Sequence, residues 1–404
     1  MSAESHRPQF HFSPAKNWMN DPNGLVYYKG LYHLFFQYNP ESIDHGNLSW
    51  GHATSKDLIH WGEHQVALRN DEAGMIFSGS AVIDHQNTSG FGTLDNPAMV
   101  AIYTNHTETN QSQHIAFSND DGMTWTKYEG NPVLDWNLPD FRDPKVMWDE
   151  KRGHWLMSLA RPYEHQISFF SSPDLKNWEH LSDFGPVGAV GGVWECPDLF
   201  ELEYEGTSLW VLIVSLNPGG LREGSGTQYF IGEFDGKTFT QTQHIGETRW
   251  MDFGSDYYAA VSFNDAPDNR RIMIGWMSNW DYAKRLPTAP YRGQMSIPRE
   301  ITLENRNGEV CLIQRPVFEA AALIKNISPM DLPISLTPEI TIGFDAASSE
   351  IFIDRSNSAH VSGKHPVEIS TALEKTQLQY ILDKSSVELF INDGESTITD
   401  LFFA

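Results

Sequence analysis

Three short motifs of the sequence place a carboxylate beside apolar or aromatic residues and close to a proline. They are residues 18–24 (Trp-Met-Asn-Asp-Pro-Asn-Gly), residues 141–145 (Phe-Arg-Asp-Pro-Lys) and residues 194–198 (Trp-Glu-Cys-Pro-Asp). Such acids suit glycosidic cleavage, in which one carboxyl group protonates the leaving oxygen and a second attacks from the other face of the sugar. A third can bind sugar hydroxyls as charge develops. Each motif alone also fits an ordinary turn, because Asp-Pro favours turns in any context.

A repeated turn places these acids in one architecture. A Ser-x-Asp segment that ends in Trp occurs at residues 55–61, 118–125 and 172–178, and residues 233–239 form a weaker echo that ends in Phe. The terminal aromatic residues are separated by 64, 53 and 61 residues. Each interval holds about four strands, as the blades of a β-propeller require. With a further segment that contains Trp276 and Trp280, the sequence predicts five blades that end near residue 300.

The phase of the acids within this repeat predicts one shared pocket. Asp21, Ser78, Asp143, Glu195 and Asp256 follow one another at intervals of 57, 65, 52 and 61 residues. If these residues belong to the innermost strand of each blade, their side chains converge on the central channel. Two carboxyl groups about 5–5.5 Å apart would then support a retaining mechanism. Burial and mutual repulsion would raise the pKa of one of them.

The remaining sequence predicts an all-β chain of two domains. Short β-rich runs alternate with clusters of Gly, Pro, Asn and Asp, and no long stretch has helical periodicity. After residue 300 Trp disappears, and Ile, Leu and Val alternate with polar residues, as in the half-buried strands of a sandwich. We therefore expect a propeller domain over residues 1–300, a linker over 301–315 and a C-terminal β-sandwich over 316–404.

Composition excludes several classes of function. The formal net charge of −25 makes nucleic acid and anionic membranes improbable partners, whereas a neutral sugar remains compatible. The two cysteines, Cys196 and Cys311, form no disulfide framework and no zinc-site spacing. We expect reduced thiols, with pairing as the alternative if the fold brings them close, and we expect no metal and no cofactor. Residues 1–8 contain no apolar signal segment, which predicts a cytoplasmic protein, or a secreted one if an export signal has been removed.

The motifs, taken in order, resemble those of the β-fructofuranosidases of glycoside hydrolase family 32, which include invertases, exo-inulinases and levanases. The resemblance runs nearly from end to end. Beside the three acidic motifs, it rests on residues 36–40, 50–55, 77–80, 252–259, 274–280 and 292–300. A single Arg-Asp-Pro would be weak support, but this ordered set is specific.

The resemblance implies a five-bladed β-propeller followed by a C-terminal β-sandwich, which here is shorter than the family's usual module. It implies that Asp21 is the nucleophile, Glu195 the acid/base and Asp143 the stabiliser of the transition state. The residues that it implies for the wall of the fructose pocket are Asn20, Gln37, Trp50, Phe77, Ser78, Arg142 and Trp280. Segments 215–220 and 224–230 are more similar to exo-acting fructan hydrolases than to plant invertases.

These features predict a retaining exo-β-fructosidase that releases terminal fructose from sucrose, inulin or levan. A sucrose-specific invertase and a fructosyltransferase remain alternatives, because water and a sugar can intercept the same fructosyl-enzyme. A five-bladed arabinan- or xylan-directed hydrolase fits the full motif of residues 18–24 less well. A non-catalytic sugar-binding propeller is disfavoured because all three acids are present. A homo-oligomer is compatible with the sequence.

Overall fold

The structure, a computed structural model, describes residues 5–404 and consists almost entirely of β-strands joined by tight turns. The first hairpin shows how the sequence sets this pattern. Tyr28 pairs with Leu31 across the Lys29-Gly30 turn, where both central residues have positive φ, 46° and 84°. Such a turn matches the right-handed twist of the flanking strands. The hairpin expected from these residues is therefore present.

Five sheets, each antiparallel within its own blade, follow one another between Asn17 and Pro316. Blade one contains β1 (Asn17–Tyr28), β2 (Leu31–Asn39), β3 (Ser49–Ser55) and β4 (Trp61–Glu63). Blade two contains β5 (Met75–Ile83), β6 (Met99–His106), β7 (Gln111–Ser118), β8 (Thr126–Lys127) and β9 (Leu134–Leu138). Blade three contains β10 (Arg142–Asp149), β11 (His154–Arg161), β12 (Gln166–Ser172) and β13 (Glu179–Phe184).

The last two blades complete the propeller. Blade four contains β14 (Val193–Tyr204), β15 (Thr207–Asn217), β16 (Gly226–Phe234), β17 (Phe239–Gln241) and β18 (Arg249–Trp250). The segment of blade five contains β19 (Tyr258–Ser262), β20 (Ile272–Trp276), β21 (Tyr291–Arg292), β22 (Arg299–Arg306) and β23 (Glu309–Pro316). Of these, β21 leaves its own blade and pairs in parallel with β1.

The first strand of each blade lies at the centre. β1 contacts β5, β5 contacts β10, β10 contacts β14, β14 contacts β19, and β19 returns to β1. These five strands form a closed ring around the channel, and apolar side chains fill the wedges between neighbouring blades. The predicted five-bladed propeller is confirmed, with the innermost position taken by the strand that carries the acidic motifs.

The repeated Ser-x-Asp turn connects the third strand of a blade to the fourth. In blade one the Asp57 carboxylate accepts the backbone N–H of His60 at 2.8 Å, and the Trp61 indole N–H donates to a backbone carbonyl at 2.9 Å. The Asp174 carboxylate accepts the N–H of Asn177 in the same way in blade three. The repeat is therefore a turn in which an aspartate accepts backbone N–H groups of the same turn, and it occurs once in each of the first four blades.

The predicted linker over residues 301–315 is wrong. β22 and β23 pair with each other from Arg299 to Pro316, and they form the outer half of blade five. A Gly-containing turn at residues 307–308 joins the two strands. The alternation of apolar and polar residues that suggested a new domain is typical of any half-buried strand, including the outer strands of a blade.

The C-terminal region forms a β-sandwich with its own apolar core. One sheet has the order β24-β29-β30-β31 and the other β25-β26-β27-β28. The strands are β24 (Lys325–Ile327), β25 (Ile334–Thr337), β26 (Ile340–Asp345), β27 (Glu350–Asp354), β28 (Lys364–Glu368), β29 (Leu378–Leu382), β30 (Ser386–Ile391) and β31 (Ser396–Leu401). The expected all-β propeller and sandwich are both present, while the shortening of the sandwich stays a prediction.

Helices are few and short among residues 5–404. They are 3-10 turns at Pro267–Asn269, Ala283–Arg285, Phe318–Leu323, Pro329–Asp331 and Leu373–Lys375. None of these described helices has the length and apolar character needed to cross a membrane.

Buried charges connect the two domains. Arg299 at the start of β22 donates to Glu388 of the sandwich at 2.6 Å and to Asp252 of the propeller at 3.0 Å. Near the chain start, His11 lies between Asp383 and Glu388, with each ring nitrogen 2.9 Å from a carboxylate oxygen. Breaking a buried pair leaves an uncompensated charge, so these contacts resist separation of the domains.

His11 makes stability depend on pH. Its burial would lower the pKa, but hydrogen bonds to the Asp383 and Glu388 carboxylates outweigh burial and raise the pKa of His11 to about 9. The same contacts, with Arg299 beside Glu388, lower the pKa values of both acids, which stay ionised. A raised folded-state pKa contributes stability that is complete below the unfolded value of about 6.5 and is lost as the pH rises through about 9.

We predict that His11→Gln removes this dependence. The wild-type melting temperature should fall as the pH rises from about 6.5 to about 9.5, whereas that of the variant should start lower and change less over this range. Differential scanning fluorimetry in matched buffers measures both curves. Parallel curves for the two proteins would show that His11 is not charged in the folded state.

Candidate active site

Each innermost strand carries a β-bulge at the same level of the channel. The register with the second strand breaks between Met19 and Pro22, Ile76 and Gly79, Arg142 and Lys145, Glu195 and Asp198, and Tyr258 and Val261. In a regular strand neighbouring side chains point to opposite faces. A bulge lets two consecutive residues oppose one, and it redirects their side chains. Each blade can therefore present two adjacent residues to the channel.

Each break leaves two residues opposite one. They are residues 20–21 and 77–78 in the first two blades and residues 143–144, 196–197 and 259–260 in the last three. In the last three blades the first of the two has positive φ, from 48° to 66°, and Arg142, Glu195 and Tyr258 are the last paired residues before the break. The expected phase of the acids is thus corrected by one position, because Glu195 is equivalent to Arg142 and not to Asp143.

Asp256 does not reach the pocket, contrary to the prediction from its spacing. Its carboxylate is buried and accepts the Arg355 guanidinium of the sandwich at 2.7 Å and the Tyr282 hydroxyl at 2.5 Å. Blade five instead contributes Tyr258, which begins β19. A buried arginine of the second domain binds Asp256. The spacing of the acids within the propeller does not predict this contact.

A cavity of about 320 Å³ opens above the bulges. Four carboxylates and one guanidinium line it, so the cavity has a net acidic character. The residues of its wall are Asn20, Asp21, Gln37, His45, Leu48, Phe77, Ser78, His106, Gln111, Asp140, Arg142, Asp143, Val193, Glu195, Asn217 and Trp280. Blades one to four contribute residues of their strands to this wall. Blade five contributes Trp280, which follows β20.

Asp21 is held by its neighbours on both oxygens. The Ser78 hydroxyl donates to Oδ2 at 2.7 Å, and the Asn20 amide donates to Oδ1 at 3.0 Å. Asn20 is itself oriented by the Trp18 indole N–H at 2.6 Å. Burial raises the pKa of Asp21; the two hydrogen bonds oppose this shift, and the negative charge of Glu195 adds to it. The free oxygen lone pairs of a fixed carboxylate suit nucleophilic attack.

Asp143 is more buried than Asp21, and the thiol of Cys196 contacts both carboxylates. The backbone N–H of Cys196 donates to Asp143 Oδ2 at 2.9 Å, and the Cys196 Sγ lies 3.6 Å from Asp143 Oδ2 and 3.7 Å from Asp21 Oδ2. Burial raises the pKa of Asp143 to about 7; the Arg142 guanidinium opposes the shift, whereas Glu195 and Asp21 increase it. Burial and the three acids also raise the pKa of Cys196, which stays a neutral thiol.

Glu195 is positioned by two donors. The Arg142 Nε donates to its Oε1 at 3.1 Å, and the Tyr258 hydroxyl donates to its Oε2. Arg142 is fixed in turn by Asp140 at 2.6 Å. Burial would lower the pKa of Arg142, but the charges of Glu195, Asp143 and Asp140 outweigh it and raise that pKa. Burial and Glu195 also raise the pKa of Tyr258, so its hydroxyl remains a donor.

Nine of the ten residues singled out in the sequence line this cavity, and their roles stay predictions. Trp50 is the exception. It is fully buried, and its indole N–H donates to the backbone carbonyl of Phe77 at 3.0 Å, so it supports the wall without forming it. Trp280 stacks on Trp18 with ring centroids 5.8 Å apart, which presents an aromatic surface at the rim.

Several residues of the site were missed in the sequence. Tyr258 and Cys196, which contact the acids without lining the cavity, could have been found because each lies inside a motif of the ordered set. Asp140, His106 and Gln111 belong to loops and second or third strands, and their positions depend on pairing between strands. Gln111 Oε1 accepts the backbone N–H of Phe141 at 2.8 Å, which connects blade two to the strand that carries Arg142.

Both cysteines are free thiols, Cys196 in the site and Cys311 in β23. Within residues 5–404 no group of three or more His, Cys, Asp or Glu side chains is arranged to hold a metal ion.

Two family descriptions match the chain. "Glycosyl hydrolases family 32 N-terminal domain" matches residues 11–316, and "Glycosyl hydrolases family 32 C terminal" matches residues 297–404. The first match ends at Pro316, where β23 ends. The second match begins at residue 297, so the two matches overlap over the stretch that contains β22 and β23 of blade five.

Known proteins are similar along the whole chain. A levanase of Bacillus subtilis (strain 168) is 44% identical over 451 aligned positions, which cover 98% of this chain and 66% of the levanase. An extracellular exo-inulinase of Aspergillus ficuum is 40% identical, covering 99% of this chain and 90% of that protein. This chain therefore spans just under two thirds of the levanase and nine tenths of the exo-inulinase.

Solved structures give the same picture. The exo-inulinase from Aspergillus awamori superposes with a TM-score of 0.91 at 37% identity, covering 98% of this chain and 93% of that chain. A fructofuranosidase from Schwanniomyces occidentalis in complex with fructose superposes with a TM-score of 0.89 at 37% identity, covering 100% and 93%.

We predict that Asp143→Asn stabilises the protein at neutral and alkaline pH. A carboxyl group whose folded pKa is raised destabilises the folded state as the pH rises from its ordinary value of 3.8 to about 7, and an amide lacks this charge. The variant should melt about 2–4 °C above wild type at pH 8, and the difference should vanish towards pH 4. Thermal melts of both proteins measure this, with the exposed Asp95→Asn as the matched control. A less stable Asp143→Asn variant at pH 8 would contradict it.

Proposed function

The chain belongs to glycosyl hydrolase family 32, and we propose that it is a retaining exo-β-fructosidase that releases terminal fructose from fructans and sucrose. In this proposal Asp21 is the nucleophile, Glu195 the acid/base and Asp143 a stabiliser of the charge that develops on the sugar. The observation that carries the proposal is the convergence of these three carboxyl groups in one cavity from three different blades.

The first step forms a fructosyl-enzyme. An Asp21 oxygen attacks the anomeric carbon while the bond from that carbon to the leaving oxygen breaks. The proton of Glu195 passes to the leaving oxygen, which departs as an alcohol. Ser78 and Asn20 fix the Asp21 carboxylate and so reduce the reorganisation that the attack requires.

The second step restores the enzyme. Glu195, now a carboxylate, takes a proton from water, and the water oxygen attacks the anomeric carbon as the bond to Asp21 breaks. Two inversions at one carbon give net retention of configuration. The contacts of Arg142 and Tyr258 favour the anionic Glu195 that exists between the two steps, so they favour proton transfer to the leaving group.

Asp143 acts through charge and hydrogen bonding. Its carboxylate lies beside Asp21 in the desolvated part of the cavity, where a negative charge stabilises oxocarbenium character more strongly than it would in water. The neighbouring Arg142 offers a planar set of donors to sugar hydroxyls. Together they bind a neutral sugar that becomes cationic only in the transition state.

The names of similar proteins support the substrate class. Levanase and exo-inulinase point to fructans, and a relative named invertase in Debaryomyces hansenii, 38% identical, points to sucrose. The name extracellular exo-inulinase also supports export as the alternative to the cytoplasmic location expected from the first residues. We place fructans first because segments 215–220 and 224–230 resemble the exo-acting enzymes.

We predict that Asp21→Asn and Glu195→Gln each reduce kcat on sucrose and inulin by about a thousandfold or more, because each removes a group that forms or breaks a bond. Steady-state release of fructose measures this. Glu203→Gln is the matched control, since Glu203 lies on the same strand as Glu195 and is exposed at its far end. Circular dichroism should show unchanged folding. Near-normal rates in either site variant would refute the assignment.

The anomer and the products test the reaction class. Proton NMR of the first turnovers on sucrose should show β-fructose before mutarotation, because the mechanism retains configuration. Free fructose at modest sucrose concentration would support a hydrolase, whereas accumulating fructosyl-sucrose oligomers would identify a fructosyltransferase. Early α-fructose would exclude the retaining mechanism.

A further inference from the structure

Under the proposed function, the position of Glu195 determines where a longer substrate leaves the cavity. A cavity of about 320 Å³ has room for a terminal sugar, and a longer oligosaccharide must extend from it through its opening. If Glu195 protonates the leaving oxygen, as the proposed function requires, that oxygen lies next to Glu195. The remaining sugars must then cross the rim nearest to Glu195, on the side of blades three and four.

This part of the rim is built by three loops. Val193 precedes Glu195 by two residues, pairs with Asn217 and lines the cavity with it. The loop after Asn217 packs closely on the glycine-rich segment 185–192. The backbone N–H of Trp194 donates to the carbonyl of Pro162 at 3.2 Å, which attaches the turn between β11 and β12 to the same rim.

The rim exposes apolar side chains. Eight large hydrophobic residues are exposed among residues 5–404, and three of them lie on these loops. Tyr163 is 67% exposed, Val190 45% and Val187 38%. Val190 lies three residues before Val193, which lines the cavity, and Tyr163 follows Pro162, which accepts the backbone N–H of Trp194. Exposed apolar side chains on loops that adjoin a cavity are typical of a binding surface.

The segment that carries the two valines is held in place. Its Ala189 accepts the Trp194 indole N–H at 2.8 Å and the Gln228 amide at 3.0 Å, and the N–H of Ala189 donates back to Gln228 at 2.9 Å. These three hydrogen bonds fix the residue between Val187 and Val190. The exposed valines therefore do not depend on a flexible loop, and a preformed surface loses less entropy when it binds.

We propose that Tyr163, Val187 and Val190 form a shelf that binds the second and third sugar units of a fructan chain. The inference rests on the proposed function, because it takes Glu195 as the proton donor. Fructans are neutral and present C–H faces, which pack on an aromatic ring and on aliphatic side chains. The shelf would make this enzyme prefer fructans to sucrose, since sucrose has only one sugar beyond the scissile bond.

The test compares kcat/KM for sucrose, for a short fructo-oligosaccharide and for inulin. Tyr163→Ala combined with Val190→Ser should reduce kcat/KM for inulin and the oligosaccharide about threefold to tenfold and change that for sucrose less than about twofold. Tyr163→Phe keeps the ring and should retain the preference. Ile245→Ser is the matched control, because Ile245 is exposed to 75% and lies outside the rim loops.

The outcomes separate the shelf from the proposed function. An equal loss on all three substrates, or no loss on any, would overturn the shelf while activity on sucrose left the β-fructosidase assignment intact. Wild-type enzyme without activity on any fructoside would overturn the proposed function itself. If the two rim substitutions unfold the protein together, Tyr163→Ala alone, at a position that is mostly exposed, carries the same comparison.

Discussion

Repulsion among the carboxyl groups of one cavity is the constraint on which the rest of the structure depends. Burial raises the electrostatic energy of ionised Asp21 and Asp143, and the nearby charge of Glu195, whose side chain is 20% exposed, raises it further. One guanidinium, that of Arg142, offsets this charge, and the neutral Cys196 thiol lies between the two aspartates. Such a cluster persists only if the backbone that carries it cannot relax outwards.

The ring of innermost strands supplies that rigidity. Each strand contacts both of its neighbours, so no blade can move outwards without opening the ring. The sandwich reinforces blade five, where Arg299 and Arg355 form buried ion pairs that bridge the two domains. The C-terminal domain thus acts on the site without touching it, because it fixes the blade that delivers Tyr258 to Glu195.

Features that arise from local chemistry could be predicted from the sequence. The aspartate of each repeated turn accepts hydrogen bonds from the backbone of that same turn, so the turns could be recognised in the sequence and their spacing indicated the blades. The order of the motifs indicated which acids to consider. Features that depend on distant partners could not. No sequence feature near Asp256 indicates its pairing with Arg355. The hairpin of β22 and β23 has the same alternation of apolar and polar residues as a sandwich strand. Trp50 lies within a motif, yet packing places it in the interior.

The site depends on the bulges that interrupt the pairing between the first and second strands of each blade. In a regular strand Arg142 and Asp143 would point to opposite faces, and only one of them would reach the channel. One extra residue per strand brings both into the cavity, where Arg142 contacts Glu195 and Asp143 contacts Cys196. Glu195 is the last paired residue of β14 before the break, whereas Asp21 lies within the break of β1. The two carboxyl groups therefore enter the same cavity from different positions relative to the bulge.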